Sequence, residues 1–74
     1  MRQGPRSMKM ERLKRGADRI AFLIVATDYP LVDIEIEIEK LREECARLFP
    51  DRMELFEMIY VSRFERLKEQ FRGA

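Results

Sequence analysis

Two pairs of glutamates at helical spacing are the residues in this 74-residue chain best suited to chemistry. Glu35 and Glu39 are four residues apart, and Glu54 and Glu57 are three apart. In a helix each pair would share one face, and paired carboxylates can bind divalent metal ions in helical bundles. Such sites usually also contain histidine, which this chain lacks. We therefore predict no metal ligands, no cofactor and no catalytic residues, and we rank a metal-dependent carboxylate enzyme third among the candidate functions.

The N-terminal arm is the second candidate site, because residues 1–19 contain seven basic residues against two acidic ones. Such an arm could bind nucleic-acid phosphates through four of these residues, Arg12, Lys14, Arg15 and Arg19. The arm has no aromatic residue for base stacking, and no recognised nucleic-acid-binding signature accompanies it. Residues 28–44 carry seven acidic residues against two basic ones. We therefore prefer docking of the arm on this acidic segment, in the same or a neighbouring chain, and keep a nucleic-acid accessory protein as the alternative function.

The composition excludes several other classes of protein. A single cysteine, Cys45, rules out an intramolecular disulfide, and no Cys/His set for structural zinc is present. We expect Cys45 to fill the core in a reducing, cytoplasmic setting. The longest apolar run, residues 20–26, is far shorter than the roughly 20 residues of a membrane span, so no membrane partner is expected. The excess of Arg over Lys and the absence of Asn lean towards a thermophilic source.

Residues 31–48 contain two hydrophobic periodicities that predict different secondary structures. Val32, Ile34, Ile36 and Ile38 alternate with acidic residues, as in a half-buried strand. Apolar residues also recur at alternating spacings of three and four, as in a helix, at Leu31, Ile34, Ile38, Leu41, Cys45 and Leu48. The helical periodicity is longer and continues where the alternation stops. We therefore predict one amphipathic helix in this segment.

Two proline-containing breaks divide the rest of the chain. Pro30 disfavours helical geometry at Tyr29 and suits the first turn of a new helix, and Phe49 and Pro50 end that helix. The prediction is an all-α, three-helix bundle in a single domain, residues 8–74, after a disordered basic leader, residues 1–7. The predicted helices are residues 8–27, 30–49 and 52–72. The alternative is an α+β fold, in which two helices follow a hairpin of residues 20–26 and 32–38.

The predicted helices carry more apolar surface than three helices of this length can bury among themselves. Residues 20–26 are apolar on every side, and a helix of that kind must be covered on every side. A chain of 74 residues is also near the lower size limit for a self-sufficient core. We therefore predict a homo-oligomer, a dimer or larger, although an unknown protein partner could cover the same surface. The predicted interface residues are Phe22, Val25, Val32, Ile36, Leu55, Met58, Ile59 and Val61. The predicted function is a small, non-catalytic, self-associating interaction module that could act in regulation.

Overall fold

The computed structural model of the chain describes residues 5–73. This part consists of three helices, so the predicted all-α fold is confirmed. Helix α1 is Pro5–Ala26 and helix α2 is Leu31–Leu48. After a 3₁₀ turn at Pro50–Arg52, the third helix (53–72) runs continuously through α3 (Met53–Phe56), a π-helical turn (Glu57–Val61) and α4 (Ser62–Arg72).

The helix boundaries lie close to the predicted ones, with the largest difference at the start of α1. This helix begins at Pro5, three residues before the predicted start, and the fixed φ of proline suits a first helical turn. Residues 5–7 of the predicted disordered leader therefore belong to α1. Residues 1–4 of that leader lie outside the described part of the chain.

The hairpin alternative is wrong, because residues 20–26 lie in α1 and residues 32–38 lie in α2. The exposure of α2 explains why the alternation misleads. Ile34 is 0% exposed and Ile38 is 2% exposed, whereas Val32 is 68% exposed and Ile36 is 50% exposed. In a strand all four side chains would share one face. The helix instead separates them into a buried pair and an exposed pair.

One hydrophobic core lies between the three helices. Each buried row follows the three-four spacing of an amphipathic helix. Helix α1 contributes Leu13, Ala17, Ile20 and Ile24, helix α2 contributes Ile34, Ile38, Leu41 and Cys45, and the third helix contributes Phe56 and Phe64. Cys45 is a buried free thiol, and burial raises its pKa, as suits a residue that fills the core.

Gly16 allows α1 and α2 to approach closely. A Cβ atom at this position would lie 2.6 Å from Cδ1 of Leu41. Any side chain at position 16 would therefore push against α2. The glycine that weakens the intrinsic helix propensity of α1 thus improves its packing.

The third helix is fastened to the end of α1 by Arg72. Its Nε donates to the carbonyl oxygen of Ile24 at 2.8 Å, and its Nη2 donates to those of Leu23 at 3.0 Å and Thr27 at 2.8 Å. The last carbonyls of a helix have no partner within it and attract cations. Arg72 therefore caps α1 from another helix. The third helix itself ends at Gly73, whose φ of 66° is left-handed.

Candidate interaction surface

Most of the glutamates considered as candidate metal ligands form ion pairs with basic side chains. Arg42 bridges two of them: its Nε donates to Oε2 of Glu57 at 2.6 Å, and its Nη1 donates to Glu39. Glu35 pairs with Lys68. Within residues 5–73, no group of three or more Asp, Glu, Cys or His side chains is arranged to hold a metal ion.

Lys68 is a buried charged residue that the sequence analysis did not single out. It is 7% exposed, and its Nζ contacts Glu35 and lies 3.0 Å from Oε2 of Glu65. Burial lowers the pKa of Lys68, but the hydrogen bonds to Glu35 and Glu65 raise it, and the net pKa lies above the ordinary value. The available signal was its spacing, four residues after the buried Phe64 on the same helical face.

Two of the four proposed phosphate-binding residues contact acidic residues of α2. Arg19 Nη1 donates to Oε1 of Glu37 at 2.8 Å, and Arg12 Nε lies 3.6 Å from Oε2 of Glu44. The hydrogen bond from Arg19 lowers the pKa of Glu37. Arg12 and Arg19, in the part of the arm that belongs to α1, thus lie along the acidic helix of their own chain.

The other two basic candidates do not join these contacts with α2. Arg15 Nη2 lies 3.9 Å from Oε1 of Glu11 in the same helix. Lys14 forms no ion pair with any residue in the described part of the chain. By helical geometry Lys14 projects from a different side of α1 from Arg12. The structure therefore does not gather the four residues into one cluster.

Most of the predicted interface residues are exposed although they are large and apolar. Seven of the eight have exposures between 43% and 69%, namely Phe22, Val25, Val32, Ile36, Leu55, Met58 and Ile59. Val61 is partly buried against the core of its own subunit. Met10 and Phe71 are also exposed, and the predicted interface did not include them. Both continue core-facing rows towards the ends of their helices.

The exposed apolar residues do not form one continuous patch. Met10, Leu55 and Ile59 line a groove of about 230 Å³ between α1 and the third helix, with Cys45 and Phe56 among its other lining residues. At the opposite end of the same two helices, Val25 and Phe71 border a second, more open hollow, whose lining is otherwise largely polar and includes Asp28 and Arg72. We call the surface formed by Met10, Leu55, Ile59, Val25 and Phe71 the open edge. Val32 and Ile36 lie elsewhere, on the outer face of α2.

The open edge differs electrostatically from the other two edges of the bundle. Arg12 and Arg19 connect α1 to α2, while Arg42 and Lys68 connect the third helix to α2. Among residues 5–73, no side-chain ion pair connects α1 to the third helix. Apolar side chains and the Arg72 cap therefore hold this edge together.

A π-helical turn shapes the third helix beside the groove. In this turn the amide of Ser62 donates to the carbonyl of Glu57, one residue further back than in an α-helix. The Ser62 hydroxyl also donates to the carbonyl of Met58 at 2.8 Å. Glu57, at the start of the turn, faces Arg42 of α2, and Ile59, within the turn, lines the groove. Nothing in the amino-acid pattern predicted this turn.

Comparisons of the chain with protein-family models, curated proteins and solved structures found no match. Within residues 5–73, no helix has both the length and the apolar composition needed to cross a membrane.

Proposed function

We propose that this chain is a small, non-catalytic interaction module that self-associates as a dimer or larger homo-oligomer, and that it acts in regulation through this contact. The observation that carries the proposal is the exposure of seven large apolar side chains of the predicted interface, each at 43% or more. Single exposed apolar residues are ordinary on protein surfaces. Two of the seven, Leu55 and Ile59, line one groove together with Met10, and exposed apolar residues that line a groove are typical of interaction sites.

The size of the subunit supports the same proposal. Its core contains ten buried hydrophobic residues, and a core of this size rarely stabilises a domain of fewer than about 70–80 residues by more than a few kcal/mol. Burying a half-exposed Leu or Ile at an interface contributes about 1 kcal/mol. Association of several such residues would therefore add appreciably to the stability of each subunit.

The polar contacts support a non-catalytic role. Arg42 and Lys68 pair with three of the four candidate carboxylates, Glu35, Glu39 and Glu57, and a metal ion would have to displace these basic side chains. Cys45 is buried with a raised pKa, and a thiol in this state is a poor nucleophile. Because this thiol is free, we also propose a reducing, cytoplasmic setting.

Light scattering coupled to size exclusion tests the proposal. The chain has a mass of 8.9 kDa, and the measured mass should be at least twice that and should fall on dilution. A single species of monomer mass at concentrations up to about 1 mM would overturn self-association.

The same sample distinguishes this function from phosphate binding by the N-terminal arm. We expect no complex with DNA or RNA at physiological salt, because Arg12 and Arg19 already contact acidic residues. Fluorescence anisotropy with labelled oligonucleotides provides the measurement. A complex that weakens steeply with salt, and that the combined Arg12→Ala, Lys14→Ala and Arg15→Ala changes abolish, would favour the nucleic-acid function.

A further inference from the structure

We infer that the partner on the open edge is a second copy of this chain. The two copies pack antiparallel about a twofold axis that crosses the open edge at the level of Gly16 along α1. The groove of each copy would then receive the apolar end of the other copy, around Phe22 and Val25. This inference rests on the proposed self-association and specifies its surface and direction. Three features of the open edge support it.

The first feature is the area of apolar surface. Met10, Leu55, Ile59, Val25 and Phe71 are between 43% and 54% exposed. A large apolar side chain has an accessible area on the order of 200 Å², so these five expose on the order of 500 Å². A stable homodimer buries roughly 800 Å² per subunit, about 65% of it apolar. The open edge therefore supplies about the apolar area that one such interface needs.

The second feature is the spacing of the apolar clusters. Met10 lies near the start of α1 and Val25 near its end, 15 residues later, which corresponds to about 22 Å along the helix. An antiparallel partner brings the Val25 end of one copy against the Met10 end of the other. One twofold axis then buries both clusters of both copies, because such an interface is self-complementary.

The third feature is the charge between the two clusters, which selects the direction. Lys14 and Asp18 follow Met10 at intervals of four residues, so they lie along the same side of α1. Neither forms an ion pair with another residue within the described range. In a parallel pair, Lys14 would face the same lysine of the other copy and Asp18 would face the same aspartate. Both contacts would be repulsive. In an antiparallel pair centred at the level of Gly16, Lys14 of each copy faces the partner subunit's Asp18. The interface therefore contains two attractive pairs.

The outer face of α2 is less suitable for a second copy. Val32 and Ile36 are exposed there, but Glu39 and Glu43 continue the same face of the helix. Two copies paired through this face would bring acidic residues together, and like charges across an interface oppose association.

A charge reversal tests the direction. Lys14→Glu alone, or Asp18→Lys alone, should weaken dimerisation roughly tenfold, because two symmetric attractions become repulsions. The combined change should restore the dissociation constant to within about threefold of wild type. Sedimentation equilibrium gives the constants, and circular dichroism confirms that each variant remains helical. If the single changes have no effect, or the combined change does not restore association, the antiparallel arrangement is wrong.

A matched pair of isoleucines tests the surface. Ile59 on the open edge and Ile36 on the outer face of α2 have similar exposures, 54% and 50%. Ile59→Glu should weaken dimerisation at least about 100-fold, as expected for an apolar residue that lines the groove the partner fills, while Ile36→Glu should change it by less than about threefold. The reverse order would overturn the open edge but leave self-association standing. A monomeric wild-type chain would overturn both.

Discussion

The edges of the bundle that include α2 differ in chemistry from the edge between α1 and the third helix. Helix α2 is acidic, and its neighbours supply the bases Arg12 and Arg19 on one side and Arg42 and Lys68 on the other. At the open edge, α1 and the third helix meet through apolar side chains, and no ion pair among residues 8–73 connects them. Surface ion pairs tolerate water, whereas apolar side chains are stabilised by its removal. One subunit thus forms ion pairs across both α2 edges, whereas apolar side chains of the open edge, such as Met10, Leu55 and Ile59, remain about half exposed.

The largest predicted effect is the difference in the loss of unfolding free energy between a residue of the subunit core and a residue of the open edge. Ile38 is 2% exposed in α2, and Ile38→Ala should lower the free energy of unfolding by about 2–5 kcal/mol because it leaves a cavity. Leu55 is 46% exposed on the open edge, and Leu55→Ala should cost the isolated subunit less than about 1 kcal/mol.

Urea denaturation at low protein concentration measures the free energy of unfolding of the isolated subunit. The same experiment at high concentration also includes the stabilisation that self-association contributes. The loss for Leu55→Ala should grow with protein concentration, because self-association stabilises the folded state by mass action. A loss at Leu55 that equals the loss at Ile38 at every concentration would show that the open edge is part of the subunit core.

The next effect concerns Arg72, a charged residue that joins the two helices of the open edge. Arg72 donates three hydrogen bonds to carbonyls at the end of α1. Arg72→Ala should destabilise the subunit by about 1–3 kcal/mol, and amide exchange should increase around residues 23–27. Arg72→Lys should recover part of the loss, since an ammonium group supplies the charge but not the planar fork of donors. Exchange that stays unchanged in Arg72→Ala would contradict the capping role.

The sequence predicted the three helices because their buried rows repeat at spacings of three and four, which is a local property. It also singled out eight apolar residues for an interface, of which seven are exposed, but Met8, Met10 and Phe71 are exposed as well and were not among them. It did not predict that these residues separate into the open edge and the outer face of α2, since that depends on how the helices are arranged in space. Lys68 and Arg72 were missed for a related reason. Glu35 lies 33 residues from Lys68 and the carbonyls that Arg72 contacts lie at least 45 residues from it, and no local pattern indicates such distant contacts.

The α2 edges should respond to pH more strongly than the open edge. The hydrogen bond from Arg19 lowers the pKa of Glu37 in the folded state. The stabilisation of the fold by this contact is therefore complete above the unfolded pKa of about 4.3 and is lost as the pH falls through the folded pKa. For Lys68 the folded pKa is raised, so the stabilisation is complete below about 10.4 and is lost as the pH rises through the folded pKa.

Thermal melts at a series of pH values measure both effects. Glu37→Gln should flatten the acid side of the stability profile, and Lys68→Met should flatten the alkaline side. Lys40→Met is the matched control for the alkaline side, because Lys40 is an exposed lysine whose Nζ lies 3.7 Å from Oε2 of Glu37. If Lys40→Met flattens the alkaline side as much as Lys68→Met does, the contacts of Lys68 with Glu35 and Glu65 are not the cause.

The smallest predicted effect lies at the contact between α1 and α2. Gly16→Ala gains up to about 1 kcal/mol of helix propensity, but its Cβ would lie 2.6 Å from Cδ1 of Leu41. Overpacking costs about 1–3 kcal/mol when the neighbour cannot move. Here the contacted atom is the end of a flexible side chain, and an open hollow of about 160 Å³ adjoins Gly16 and Leu41.

We therefore expect the free energy of unfolding of Gly16→Ala to stay within about 1 kcal/mol of wild type, while Gly16→Val, with a larger and β-branched side chain, loses at least that much. Chemical denaturation of the three proteins provides the comparison. Position 16 faces α2, but the proposed twofold axis crosses α1 at the same height along the helix. The dissociation constant of the dimer should therefore also be measured for these variants. If Gly16→Val keeps the wild-type dissociation constant while losing stability, the α1–α2 contact and the open edge are independent. A parallel loss of both would show that the position of α2 against α1 determines the shape of the open edge.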